Sequence, residues 1–518
     1  MSFVNDEQFG HIVDFEKIRK EIRQVYDHIY PNFNLLASVE TCIEISKRNT
    51  SYATSIGASA LSYCVLVAAE EYEYAEKLKD CIFTLGWTEE HTGTDLLSLR
   101  TQATPASDDP NERNYHIKGS KWIINCSYHA DYHIALAKVN PELDGPRSIS
   151  FFLIPHSSTK NWERIQTHVM REMVLTKFEI DGPGILLGKV GHALSYLQRM
   201  AIPSKYECAY LGINMLYNSL PATLAHLDRK KIFGNNPIRF SNVFRQMYDM
   251  CLKAAFYDFM FHRSIVFNGN GFLQVYGTML KSYLLLRIHE LLDKNLLVAG
   301  SIGFTRDSVI GRDAQDSAVL PVFDGHYTLN TLITAKHMER YVSATLKANP
   351  QERLEQLRTE LFQRIPKNEI AHNTQEVRKP AFFDYADYIQ HLDIPFAIDP
   401  QQLMDTVRSI LDEVKDRDLT NDPEYNYKTG DLLHWLEAFL AACEMWRLYG
   451  DQYANIIAIQ YNALAHMVNE MIAEGGMTTE FLTPVRLHAI PDNLEDPAEY
   501  LRDLLDIRTK IQQPALTY

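Results

Sequence analysis

Three stretches of the chain collect the polar and small residues that meet ligands. The first, Leu85-Gly-Trp-Thr-Glu-Glu-His-Thr-Gly-Thr-Asp95, is a polar loop in which Thr88 and Thr94 offer hydroxyls and Gly93 allows close backbone approach. Its plainer reading is a turn whose Thr and Asp side chains cap backbone amides. The second, Tyr115-His-Ile-Lys-Gly-Ser-Lys-Trp-Ile-Ile-Asn125, ends on a side-chain amide able to donate a hydrogen bond. The third is distal: Gly300-Ser-Ile-Gly-Phe304, Arg312-Asp-Ala-Gln-Asp316, Phe323-Asp-Gly325 and Ile333-Thr-Ala-Lys-His-Met338. By itself Asp324-Gly325 reads as a turn.

The elements that carry these stretches follow from periodicity. Residues 14–80 read as helical, because Ile18, Ile22, Val25, Tyr26 and Ile29 recur at three and four and LSYCVLVAAEEYEYAEKLK has no breaker. From Thr88 to Val190 the period falls to two, with SDDPNE, NPELDGP and DGPG as punctuation. After Gly191 long apolar helices return and make a bundle. Pro and charge clusters near 349 and 366–380 read as a linker, after which Leu403, Met404, Val407, Ile410, Leu411 and Val414 restart an amphipathic stripe. The expected organisation is mainly α with a central β domain: an N-terminal α domain over 1–86, a central β domain over 87–190, an α bundle over 191–348 and a helical extension over 349–518.

Composition narrows the function classes. In 518 residues, 51 basic against 66 acidic side chains give a net charge of −15, which repels phosphate backbones and argues against broad nucleic-acid binding. The 7 cysteines are odd in number and free of CxxC pairs, which suits a reducing cytoplasm better than a disulfide scaffold or structural zinc. No signal peptide or membrane span is expected, the longest apolar runs being about half a span. Gly269-Asn-Gly271 lacks the third glycine and preceding strand of a dinucleotide fingerprint. His129 and His133 lie in a strand-like segment without a third ligand, so no metal is expected. In the tail, Leu433, Trp435, Leu436, Phe439, Leu440, Met445 and Trp446 make an apolar helix surface, most simply core.

Taken together, the ordered motifs resemble the acyl-CoA dehydrogenase family. Its members carry T-E-P-x-x-G-S-D and then x-G-x-K-x-x-I-T-N, here Thr88, Glu89, Gly93, Thr94 and Asp95, followed by Gly119, Lys121, Trp122 and Ile124. The distal family motifs G-G-x-G-[FY], R-D, [IY]-[YW]-E-G-T and I-A-R appear in the same order, with twenty residues between Phe304 and Asp324. The resemblance covers residues 14–345. It implies an N-terminal α domain, a middle β-barrel and a C-terminal four-helix bundle, with non-covalent FAD against the β domain. It also implies α,β-dehydrogenation of an acyl thioester carried on coenzyme A or on an acyl carrier protein.

Carried over residue by residue, the resemblance places Asp324 as catalytic base, with Thr94, Asp324 and Gly325 at the substrate. Toward FAD it places Thr88, Gly93, Thr94, Ile123, Asn125, Arg229, Lys230, Gly300, Ser301, His326 and Thr328. There are departures. The base is one methylene shorter than the family's glutamate, Asn125 stands for the Thr near flavin N5, and Ile123 replaces a bulky aromatic. Gly325-His-Tyr-Thr328 replaces G-T-x-Q, and Arg229-Lys-Lys-Ile-Phe-Gly234 stands for the turn whose Arg reaches the FAD of a second subunit. The implied partners are an electron-accepting flavoprotein or oxygen, in a cytoplasmic homodimer or homotetramer. Two other readings remain open: a scaffold that no longer uses flavin productively, and a flavin-dependent oxygenase that needs no base at Asp324.

Overall fold

Ile18, Ile22, Val25, Tyr26 and Ile29 form the buried stripe of α1 (Phe15–Ile29), as their spacing predicts. The computed structural model describes residues 15–31, 41–42, 44–45, 50–109, 111–139, 145–170, 173–266, 273–305, 307–343, 355, 385–491 and 494–511; the linker read at 349 and 366–380 lies outside the described residues. The chain divides into two units that part between Glu207 and Cys208.

In the first unit α1 packs on α2 (Thr50–Ala68), where Tyr26 stacks on Tyr63 with centroids 4.0 Å apart and meets Ser59 Oγ at 2.8 Å. By length and composition α2 could cross a membrane, but 78% of its most apolar window is buried inside the protein. A short α3 (Tyr72–Lys77) leads to seven strands: β1 (Phe83–Gly86), β2 (Gln102–Pro105), β3 (Asn114–Asn125), β4 (Tyr132–Lys138), β5 (Ile149–Pro155), β6 (Thr159–Ile165) and β7 (Leu175–Leu187). β1 precedes the boundary read at 87; it is too short for a visible alternation and gains its place by parallel pairing with β4. The order β1-β4-β2-β3-β7-β5, with β5 pairing back to β4, closes a ring, and β6 flanks β7. Along β7 Phe178 and Ile180 point inward while Glu179 and Asp181 face solvent, the period-two alternation seen in the sequence.

The long α4 (Ala193–Arg229) runs from the first unit into the second. The second unit continues with α5 (Ser241–Val266) and with α6 (Leu273–Met279), which passes through a π-helical turn, Leu280–Leu284, into α7 (Leu285–Ala299). Then come α8 (Val309–Ser317) and α9 (Tyr327–Ser343). The extension adds α10 (Tyr385–Leu392), α11 (Pro400–Asp416), α12 (Pro423–Tyr449), α13 (Ala454–Gly475), α14 (Pro497–Leu505) and α15 (Ile507–Ile511). Three of these helices start on Asp-Pro: Asp399, Asp422 and Asp496 each accept backbone amides of the first turn, and the proline supplies a helical φ where no N–H is needed.

The extension is built into the second unit. A Cβ added to Gly430 on α12 would lie 2.1 Å from the Thr331 carbonyl on α9, so the two helices touch backbone to backbone. Fully buried Glu437 and Glu444 on α12 both pair with Arg263 of α5, Glu437 at 2.9 Å. On α13 Asn455, Asn462 and Asn469 each bond both backbone groups of one residue in a following extended segment: His488, Val485 and Leu482 respectively. The spacing is geometric: seven helical residues rise about 10.5 Å, and three extended residues span about 10 Å.

Candidate functional site

The loop of the first ligand stretch is fastened from beneath. Buried Glu89 accepts from the amides of Arg100 (2.7 Å) and Thr101 (3.0 Å) and from the Thr101 hydroxyl (2.6 Å), and pairs with the Lys121 ammonium at 3.0 Å. Burial alone would raise the Glu89 carboxyl, but Lys121 and these donors outweigh it and hold it below its ordinary value. Burial pushes Lys121 down to about 8 against the pull of Glu89, so both groups stay ionised at neutral pH. Gly119 lies over the same joint: a Cβ there would come within 2.3 Å of Thr101 Oγ1. Glu89, Gly119 and Lys121, which carry much of the motif resemblance, thus fix the loop to the barrel.

Above this joint the backbone is irregular. The β3–β7 register shifts between Lys121 and Ile124, and the bulge puts Ile123 at φ 55°, with its side chain 38% exposed. A left-handed β-branched residue is strained, and such strain concentrates at functional positions. The Trp122 amide donates to the Thr88 carbonyl at 2.9 Å, tying loop and bulge together. Two residues beyond Ile123, the Asn125 carbonyl oxygen accepts from Ser55 of α2 at 3.3 Å, while its Nδ2 is buried with no hydrogen-bond partner among the described residues. Trp87 Nε1 and Thr92 Oγ1 are likewise buried without partners. Orphaned donors are costly unless a ligand or water meets them. Gly93 and Thr94 are exposed, and a Cβ on Gly93 would meet nothing within 4 Å.

His129 belongs to a 3-10 turn, and His133 lies buried in β4 with its Nδ1 2.9 Å from Thr84 Oγ1. Burial pushes the His133 imidazole down to about 3, so it is neutral.

In the second unit Asp324 occupies the turn between α8 and α9. It is half-buried and left-handed, at φ 55°, and Gly325 follows at φ 90°. The turn is clamped downstream, where Asn330 Nδ2 donates to the carbonyls of Gly325 (2.9 Å) and His326 (3.2 Å). His326 Nδ1 accepts the Thr328 amide at 3.3 Å, which directs this histidine inward to its own helix start. Gly300 ends α7 at φ 70°, ψ −142°, a conformation open essentially to glycine alone, and Ser301 follows it exposed. Arg229 ends α4 and Lys230 follows it. The Arg229 Nε donates to the Ala225 carbonyl of its own helix, and neither side chain has an ion-pair partner among the described residues. After them Phe233 and Gly234, both at positive φ, form a hairpin tip on which Phe233 is 93% exposed. Asn330 and Ser55 are site-supporting residues that sequence reasoning missed; neither falls in a motif.

Residues 84–182 match the acyl-CoA dehydrogenase middle domain. The chain is 20% identical over 261 residues to the short/branched chain specific acyl-CoA dehydrogenase of Rattus norvegicus, covering 49% of this chain and 59% of that one. It is 21% identical over 299 residues to the (2S)-methylsuccinyl-CoA dehydrogenase of Cereibacter sphaeroides, covering 54% of each. The chain thus spans less than two thirds of these curated relatives. Among solved structures it resembles a Bacillus anthracis acyl-CoA dehydrogenase complexed with FAD, with a TM-score of 0.70 at 14% identity over 98% of this chain and 91% of that one. Caenorhabditis elegans ACDH-11 in complex with C11-CoA gives a TM-score of 0.66 at 12% identity, covering 88% and 80%. The likeness of fold therefore runs past residue 345, where the motif resemblance ends, and takes in the extension. By its middle domain and its fold, the chain is similar to the acyl-CoA dehydrogenases.

Proposed function

We propose that the protein is an FAD-dependent oxidoreductase that converts an acyl thioester to its enoyl thioester, with Asp324 as the base. The observation that carries this reading is the Asp324 turn: a half-buried aspartate with left-handed backbone, at the position the resemblance gives the base, followed by two carbonyls, of Gly325 and His326, that Asn330 holds. The middle domain fits the cofactor, because Asn125 Nδ2 is a buried donor in want of an acceptor beside the exposed, left-handed Ile123. Within the first unit Asn125, Ile123, Thr88, Gly93 and Thr94 would hold the ring end. When bound, FAD supplies a two-electron acceptor for the β-hydrogen. Asp324 removes the α-proton, a weak acid that needs a base held close. The Gly325 backbone beside it would orient the thioester.

The carrier is coenzyme A or an acyl carrier protein, and the electrons pass to a flavoprotein or to oxygen. Arg229 and Lys230, without carboxylate partners among the described residues, suit the pyrophosphate of FAD in a second subunit, which makes a homodimer or homotetramer the working form. Sedimentation of flavin-replete protein is expected to show an oligomer; an active, flavin-replete monomer overturns that part of the reading.

The base is tested by Asp324→Asn, which keeps volume and polarity. With anaerobic mixing against a panel of straight and branched acyl-CoA thioesters, flavin reduction is expected to fall at least ~100-fold while thioester binding survives. Reduction at the wild-type rate would move the base elsewhere. A protein that neither contains nor accepts flavin would favour the scaffold reading.

A further inference from the structure

Lys281 is fully buried in the π-helical turn between α6 and α7, and no carboxylate lies within ion-pair distance of it among the described residues. An ammonium taken out of water needs compensating partners. Lys281 has two, both on the segment just before Asp324. Its Nζ donates to the Leu320 carbonyl, and it stands 4.5 Å from the centroid of the Phe323 ring, a cation–π contact.

Apart from Lys281, that segment is held by backbone bonds, Tyr327 N of α9 meeting Pro321 O at 2.8 Å and Val322 N meeting Val319 O at 2.9 Å. Past the end of α8, residues 318–323 are a run of turns, with Leu320 N bonded to Ser317 O at 3.1 Å and Phe323 N to Val319 O at 3.1 Å. Lys281 grips it at two points three residues apart, and Phe323 is joined directly to Asp324. Downstream, Asn330 holds Gly325 and His326. Asp324 is thus held from both sides, in a backbone conformation that few side chains adopt. The π-turn adds the extra residue that rotates the helix locally, and such turns recur at functional sites.

We infer that Lys281 is the positioning residue for the Asp324 carboxylate, acting through the Leu320 carbonyl and the Phe323 ring. The inference rests on the reading of Asp324 as base and adds the device that aims it. A base displaced by about an ångström loses on the order of 100-fold in rate while substrate affinity is little changed. A merely structural lysine would instead lower stability, flavin content and thioester affinity together.

The test uses the full-length, flavin-loaded protein and the acyl-CoA that reduces wild-type flavin fastest. In Lys281→Met the limiting rate of flavin reduction is expected to fall ~10-fold or more, with the thioester Kd from equilibrium titration within about threefold of wild type. Exchange of substrate α-hydrogens with D2O, followed by mass spectrometry on the reduced enzyme, is expected to fall in parallel. Phe323→Leu removes only the ring face and serves if Lys281→Met does not fold; it is expected to show the same split in smaller degree. Lys281→Met or Phe323→Leu reducing at the wild-type rate, or losing rate and affinity in equal measure, overturns the inference. Asp324→Asn run alongside separates the two claims, since an undiminished rate there refutes the base and leaves Lys281 nothing to aim.

Discussion

At the scale of single residues, the family motif divides into parts that hold the site and parts that face it. Glu89 and Lys121 belong to the first kind, as a buried pair that fastens the loop. Lys121→Met is expected to leave the Glu89 charge uncompensated and to destabilise the protein by about 3–5 kcal/mol at neutral pH. In the wild type the depressed Glu89 value means that its contribution is present above the ordinary carboxylate range and is lost as pH falls through the folded value. The gap between the two proteins in chemical denaturation should therefore narrow in acid; a gap independent of pH would assign the loss to packing. On the proposed reading Asn125 and Ile123 belong to the second kind, one with a buried amide that has no partner among the described residues, the other exposed at positive φ. Their positions were readable from the motif interval, but the bulge that turns Ile123 outward was not, because it arises from a register shift against β7 that no local pattern records.

At the scale of elements, α8 carries a carboxyl whose state depends on its burial. Asp313 is fully buried, 3.5 Å from Ser219 Oγ and 3.6 Å from Arg312 Nε. Burial raises it to about 7, with Asp316 adding to the rise and Arg312 opposing it. A folded value above the unfolded one means that the folded protein keeps a proton the unfolded chain releases. Stability is then fullest below the ordinary carboxylate range and is lost as pH rises toward about 7. Asp313→Asn is expected to lack that decline, so thermal midpoints of variant and wild type should diverge between about pH 5 and 8, with the variant higher at the alkaline end. Midpoints that run parallel would rule it out. Sequence reading located Asp313 in the Arg-Asp motif; its burial, and its contact with Ser219 of α4, come from tertiary packing that the local pattern does not record.

For the molecule as a whole, the order α, β, α and extension was readable because the hydrophobic period changes from 3.6 to 2 and back. The closure of the strands into a ring was not, since β2 meets β4 at a single residue pair, Gln102 and Lys138. Nor was the embedding of the extension: Leu433, Leu436 and Phe439 read correctly as core, yet nothing local tells that Glu437 and Glu444 seek Arg263. The asparagine rungs of α13 bear on how the sequence can drift. Toward the extended segment they hold peptide groups only, and Thr483, Pro484, Arg486 and Leu487 stay exposed between them. The segment Leu482–His488 can therefore exchange most of its letters but cannot change its length, because one inserted residue puts every rung beyond it out of step. Amide hydrogen exchange should display this as a beat, with Leu482, Val485 and His488 protected and the residues between them open; uniform protection or none would mean that the rungs do not carry the segment.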